Sequence, residues 1–183
     1  MPCSASEIIN KARSFLGTKE EPPGSNNVVF NTDYYGHAVS GNNYAWCAAF
    51  VWDMFRMCGA SELYYDGKRT AYCPALQKWG RENNLSLSDV HAVRPGDLVL
   101  YDWNGNKTAD HIGICVSATA STITTIEGNT DDAVREVTRY YSSVCAVIRP
   151  KYTEPTIDVN CATCPLRLAL LDIYNKIKEE TEK

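Results

Sequence analysis

At Arg94-Pro95-Gly96-Asp97 the hydrophobic period of the chain changes, and that change restricts the folds open to it. Upstream, apolar residues recur three or four positions apart. Ile8, Ile9, Ala12, Phe15 and Leu16 form one such set, and a second runs from Ala48 to Phe55. Downstream, short apolar runs rich in Ile, Val and Thr read as strands, separated by Asn, Gly and Asp. Helices first and strands second define an α+β domain, with N-terminal helices packed on an antiparallel β-sheet.

The first helix spans about Ser6 to Leu16, with Ser4 or Ser6 as its cap and Gly17 as its stop. Thr18 to Asn43 is a long polar loop, and a loop of that length in a compact domain is often functional. A second helix runs from Cys47 to Cys58 and ends at Gly59. A third begins at Pro74, where proline suits the first turn, and frays near Asn83-Asn84. The strands are expected at Leu98–Trp103, His111–Ala118, Thr122–Glu127, Glu136–Tyr141 and Cys145–Arg149. Turns at Asn104-Gly105-Asn106 and Gly128-Asn129 favour antiparallel neighbours.

Composition excludes several classes of function. A net charge of -4 and the lack of a basic patch argue against a nucleic-acid partner. The longest apolar runs are far too short for a membrane span. Met1-Pro2-Cys3-Ser4 has no basic region followed by an apolar one, so no secretory signal is expected. Eight cysteines in 183 residues need not be a disulfide framework, because the chain has ample apolar residues for a core. Most are read as reduced, with Cys58, Cys115 and Cys145 on apolar faces; pairing of Cys58 with Cys73, or Cys115 with Cys145, stays open.

Cys47 is the residue best placed for chemistry. Ser40-Gly41-Asn42-Asn43 gives way to Tyr44-Ala45-Trp46-Cys47-Ala48-Ala49, which puts a thiol in the first turn of a helix. Unpaired N–H groups and the helix dipole there favour the thiolate, the nucleophilic form. The same helix offers Phe50, Val51, Met54 and Phe55 for burial, and Cys58 is its better core cysteine. His111 opens an apolar strand, whereas His37 and His91 lie in polar loops. Glu127 and Asn129 share a side if their strand persists through Gly128, and either can accept from the His111 ring N–H and fix its tautomer. A thiol, an imidazole and an acid or amide are the parts of a cysteine hydrolase. The Cys47 N–H at the helix start would serve as an oxyanion donor. Tyr44, Trp46, Tyr101 and Trp103 lie near these residues in sequence; lining a groove for a peptide stem and packing in the core are both open to them.

Four segments occur in order: Trp46-Cys47-Ala48-Ala49-Phe50-Val51, Arg94-Pro95-Gly96-Asp97-Leu98-Val99, Asp110-His111-Ile112-Gly113-Ile114 and Ile126-Glu127-Gly128-Asn129. Together they resemble the cysteine- and histidine-dependent amidohydrolase/peptidase (CHAP) domains of phage endolysins and bacterial cell-wall hydrolases. The resemblance covers about Ser6 to Pro150 and implies a papain-like α+β fold. It implies an N-acetylmuramoyl-L-alanine amidase or a peptidoglycan endopeptidase, acting on peptidoglycan peptide stems and requiring no cofactor. The family's nucleophile falls on Cys47, its base on His111, its orienting acid on Glu127 and its accompanying amide on Asn129. Residues 1–150 are therefore taken as the catalytic domain and 151–183 as a linker and C-terminal helix. Without an export signal, such an enzyme is expected to reach the wall at phage lysis or by another route.

Some members of that family hold calcium through acidic residues beside the cysteine. Here those positions are Ala49 and the Asn/Gly loop, which do not support it. Asp102, Asn104, Asn106 and Asp110 have the spacing of a calcium loop, but Gly113 stands where its last glutamate belongs, and a plain Asn-Gly hairpin explains them as well.

In the tail, Leu166, Leu170, Ile173 and Ile177 form a short heptad seam that either packs on the domain or joins a second copy into a homo-oligomer. Cys161 and Cys164 are half a zinc site, which two subunits would complete. A non-catalytic, cysteine-rich interaction or zinc-binding module is thus the rival reading. The other cysteines are scattered singly, without ligand spacing, which weighs against it.

Overall fold

The computed structural model describes residues 3–153. The tail seam and the Cys161/Cys164 pair lie outside them. Helix α1, Ala5–Arg13, begins with a capping box in which Ser4 and Glu7 satisfy each other's backbone N–H groups. Helix α2, Val29–Tyr35, closes on Gly36 in the left-handed region. Helix α3 is Cys47–Met57, and α4 is Cys73–Glu82 with Pro74 in its first turn.

The strands are β1 Leu98–Tyr101, β2 His111–Ala118, β3 Thr122–Thr130, β4 Ala133–Tyr140 and β5 Val144–Ile148. They form one antiparallel sheet in the order β4-β3-β2-β1-β5. The expected α+β, papain-like arrangement is present: a buried helix carries the thiol, and it packs against β2 and β3. Every residue of α3 from Cys47 to Phe55 is buried, and all but Asp53, which pairs with Arg56, are apolar.

Close contact between helix and sheet depends on Gly128. A Cβ there would lie 2.6 Å from the Phe50 Cβ and 2.8 Å from the Trp46 ring, so a larger residue would push α3 away. The Phe30 ring stacks on Trp46 and meets Phe50 edge-on, extending the same core toward the N-terminal segment.

Three sequence expectations change. The loop from Thr18 to Asn43 contains α2, a helix too short to show a full apolar period. The turn between β3 and β4 is Asp131-Asp132, both with positive φ, and not Gly128-Asn129. A two-residue turn of that hand matches the twist of its strands, and aspartate tolerates it. Finally, Tyr152 in the expected linker is docked: its hydroxyl donates to the Gly96 carbonyl at 2.7 Å, and its ring stacks on Phe55.

Candidate active site

The segment before α3 fixes the position of Cys47. Trp46, the N-cap, makes no side-chain cap, so the first N–H groups of α3 are left without a capping acceptor. Its indole N–H instead donates to Glu20 Oε1 at 2.7 Å, and Glu20 Oε2 accepts from the Asn26 N–H at 2.7 Å. The Asn31 amide donates to the Asn26 and Tyr44 carbonyls at 2.8 and 2.7 Å. These bonds tie the polar loop around the entry to α3. Trp46 is fully buried, so it is core and does not line a groove.

His111 opens β2 directly opposite Tyr101 of β1. Its Nε2 lies 2.9 Å from Glu127 Oε2 and 3.4 Å from Thr130 Oγ1. That leaves Nδ1 for the thiol. Glu127 is fully buried on β3 and accepts from several donors: Thr125 Oγ1 at 2.6 Å, Thr130 Oγ1 at 2.9 Å, and Arg139 through Nε at 2.8 Å and Nη2 at 2.6 Å. Room for this carboxylate comes from Gly113, where a Cβ would sit 2.8 Å from Glu127 Cγ. The Arg139 guanidinium also lies over the Trp103 ring, 4.7 Å from its centroid.

The electrostatics follow from these contacts. Burial alone would raise the Glu127 carboxyl, but Arg139 and His111 outweigh it and hold it at about 2. Burial alone would lower His111, but hydrogen bonds to Cys47 and Glu127 outweigh that and raise it to about 9. Cys47 is held well below the ordinary thiol range by hydrogen bonds from Cys73 and His111 and from the Ala48 N–H, against the opposing effect of burial. Cys47 Sγ and Cys73 Sγ lie 3.7 Å apart, and Cys73 is correspondingly raised. Among the six described cysteines only Cys47 is lowered; burial pushes Cys3 and Cys145 up to about 11 and Cys115 up to about 12. Cys47 and His111 thus titrate as a coupled pair whose favoured form is thiolate with imidazolium.

Cys47, His111 and Glu127 come together as the sequence placed them. Asn129 does not. It has φ +58° beside a register shift between Glu127 and Thr130, so the alternation of β3 is broken, and its amide points to Asn26 Oδ1 at 3.5 Å. Thr130 takes the position beside the His111 ring. Arg139 and Cys73 join the site without a local sequence signal. Arg139 becomes visible only once the β3–β4 register is known, and Cys73 only once α3 and α4 are brought together.

Of the aromatic candidates, Tyr101 is fully buried and its hydroxyl shares a hydrogen bond with Thr125, so it supports the sheet. Trp103 is half exposed, with its ring 5.8 Å from that of His111. Tyr44 is half-buried and packs edge-on against Tyr35. Tyr72, exposed and adjacent to Cys73, is a further aromatic beside the thiols.

The four calcium candidates are engaged by their own loop. Asp102 accepts from the backbone N–H groups of Asn104, Gly105 and Lys107, and Asp110 from that of Trp103. Asn104 and Asn106 accept in turn from Asn106 and Thr108. Among the described residues no group of three or more His, Cys, Asp or Glu could hold a metal ion.

A family model described as the CHAP domain matches residues 39–129, a span that contains Cys47, His111 and Glu127. No curated protein matches the chain. Among the solved structures that resemble it are two described as the crystal structure of Ly7917 and the same protein with the hydrolyzing product of MDP. They are 17% and 18% identical to it, each with a TM-score of 0.47, and the alignments cover 81% and 80% of this chain. The chain spans 63% of the length of each.

Proposed function

The chain carries a CHAP domain, and on that premise we propose that it is a peptidoglycan hydrolase that cleaves an amide bond through a cysteine nucleophile. The observation that carries this reading is the line from Cys47 at the start of α3, through His111, to the buried Glu127.

The Cys47 thiolate attacks the amide carbonyl carbon. The oxygen that becomes negative lies near the unfilled N–H groups at the start of α3, which stabilise it. His111, protonated at rest, gives its proton to the leaving amine, and the C–N bond breaks. Neutral His111 then takes a proton from water, which attacks the thioester and frees Cys47. Glu127 stays ionised throughout. It orients the ring through Nε2 and stabilises the imidazolium, as the third member of such a triad does. The half-exposed Trp103 ring beside His111 offers an apolar wall for the peptide stem. No step requires a metal ion.

The bond is either the N-acetylmuramoyl-L-alanine amide or one within the stem or cross-bridge. Mass spectrometry of purified walls digested by the full chain tests the proposal. Release of intact stem peptides with a free alanine amine identifies the amidase, and shortened stems or opened cross-bridges identify the endopeptidase. Walls that yield neither overturn it. The enzyme would meet its substrate after release at phage lysis or by another export route.

A further inference from the structure

Cys73 donates to the Cys47 thiolate but is not itself a reactant in the hydrolytic mechanism. It is as buried as Cys47, at 4% against 5% exposure, and the two sulfur atoms lie 3.7 Å apart, in van der Waals contact. The other described cysteines have different neighbours: Cys115 Sγ contacts the Ser117 carbonyl, Cys145 Sγ the Leu100 carbonyl, and Cys58 Sγ the Glu7 carbonyl and the Cys3 thiol, a pair away from the nucleophile. The pairing of Cys58 with Cys73 that the sequence left open is therefore not the one the fold sets up. Cys73 is also the first residue of α4, whose N-cap Tyr72 contributes no side-chain cap, so two uncapped helix starts converge on two touching thiols.

We propose that Cys47 and Cys73 form a reversible disulfide when a hydroperoxide oxidises the nucleophile, and that this switches the enzyme off. The proposal rests on Cys47 being the nucleophile. In the first step the Cys47 thiolate attacks the O–O bond of hydrogen peroxide. An S–O bond forms, the O–O bond breaks, and the departing hydroxide takes the His111 proton to become water, leaving a sulfenic acid. In the second step Cys73 sulfur attacks Cys47 sulfur. The S–S bond forms, the S–O bond breaks, and a second water leaves with the Cys73 proton. Two thiols lose two electrons and two protons, and one peroxide becomes two waters.

Oxidation itself readies the second step. In the reduced site the neighbouring thiolate keeps Cys73 protonated. A sulfenic acid is neutral, so the charge that opposes Cys73 ionisation most is removed, and at the start of α4 its thiolate becomes easier to form against the burial that remains. Direct contact makes capture by Cys73 faster than a second attack by peroxide, which would carry Cys47 irreversibly to the sulfinic acid.

The experiment uses the full chain, reduced and then treated with hydrogen peroxide, followed by alkylation and trypsin. Fragment 20–56 contains Cys47 as its sole cysteine, and fragment 70–78 contains Cys73 as its sole cysteine. The expected result is a cross-linked pair of these two fragments, loss of wall cleavage in step with its appearance, and recovery of both on adding dithiothreitol. In Cys73→Ala the same dose should leave Cys47 as sulfinic acid, with a loss that dithiothreitol does not restore. Oxidised wild-type protein without the 20–56/70–78 link overturns the proposal, whether or not activity falls. The link is read by mass alone, so it is independent of turnover. If the reduced protein cleaves no wall, the functional reading fails while the disulfide stands or falls on its own.

Discussion

Arg139→Ala removes a partner that the buried Glu127 carboxylate depends on. Two charge-assisted hydrogen bonds, at 2.8 and 2.6 Å, disappear, together with the stacking of the guanidinium on Trp103. Glu127 is held at about 2 against an ordinary 4.5, which corresponds to about 3 kcal/mol of stabilisation of its ionised form in the fold. Arg139 is the foremost cause of that lowering, so about 2–3 kcal/mol should be lost with it, plus about 0.5–1 kcal/mol from the cation–π contact. At about 2–4 °C per kcal/mol for a chain of this size, Tm should fall by about 5–16 °C at neutral pH.

The pH dependence carries a sign. A lowered carboxyl contributes its stability in full above its unfolded value and loses it as pH falls toward its folded value. The gap between wild type and variant should therefore be open at neutral pH and close between about 4.5 and about 2. Arg139→Lys should recover only part of it, since one ammonium cannot reproduce the two-pronged contact. Thermal unfolding followed by circular dichroism over that range is the assay. Equal Tm values at neutral pH, or a gap that widens in acid, would refute the reasoning.

Glu127→Gln should reduce wall turnover far more than Asn129→Ala, because only Glu127 touches His111; the reverse order in initial rates on purified walls would contradict that. Gly113→Ala should lower kcat, since its Cβ would sit 2.8 Å from both Glu127 Cγ and Thr125 Cβ and displace the carboxylate, and unchanged kcat in a folded variant would mean that the carboxylate tolerates the shift. The rate should fall on the alkaline side as pH passes about 9, where His111 loses the proton that the leaving amine needs, and a flat profile through that region would contradict the raised value.

Some parts of the site were legible in the sequence because local patterns fix them. Cys47 follows a polar loop and begins an apolar helix, His111 begins a strand, and Glu127 sits among alternating β residues, so helix dipole and strand placement could be argued directly. What escaped depends on distant pairing. Arg139 reaches Glu127 only through the register in which Ile123 opposes Arg139. Cys73 meets Cys47 only because two helices converge. Asn129 was misplaced because strand alternation was carried through a bulge with a positive φ. Trp46 was a groove candidate by proximity, yet Glu20, 26 residues earlier, accepts its indole N–H and holds it inside. Helix α2 escaped because seven residues bounded by polar stretches give no period to read.

The central claim is that the Cys47 thiolate cleaves an amide of the wall. Its most direct test counts new free amino groups and new reducing sugar ends released from purified walls by the wild-type chain and by Cys47→Ala, with both proteins shown to be equally folded. The account predicts amino groups without reducing ends from the wild type, and neither from Cys47→Ala. Amino groups released at wild-type rate by Cys47→Ala, or reducing ends from either protein, would contradict it.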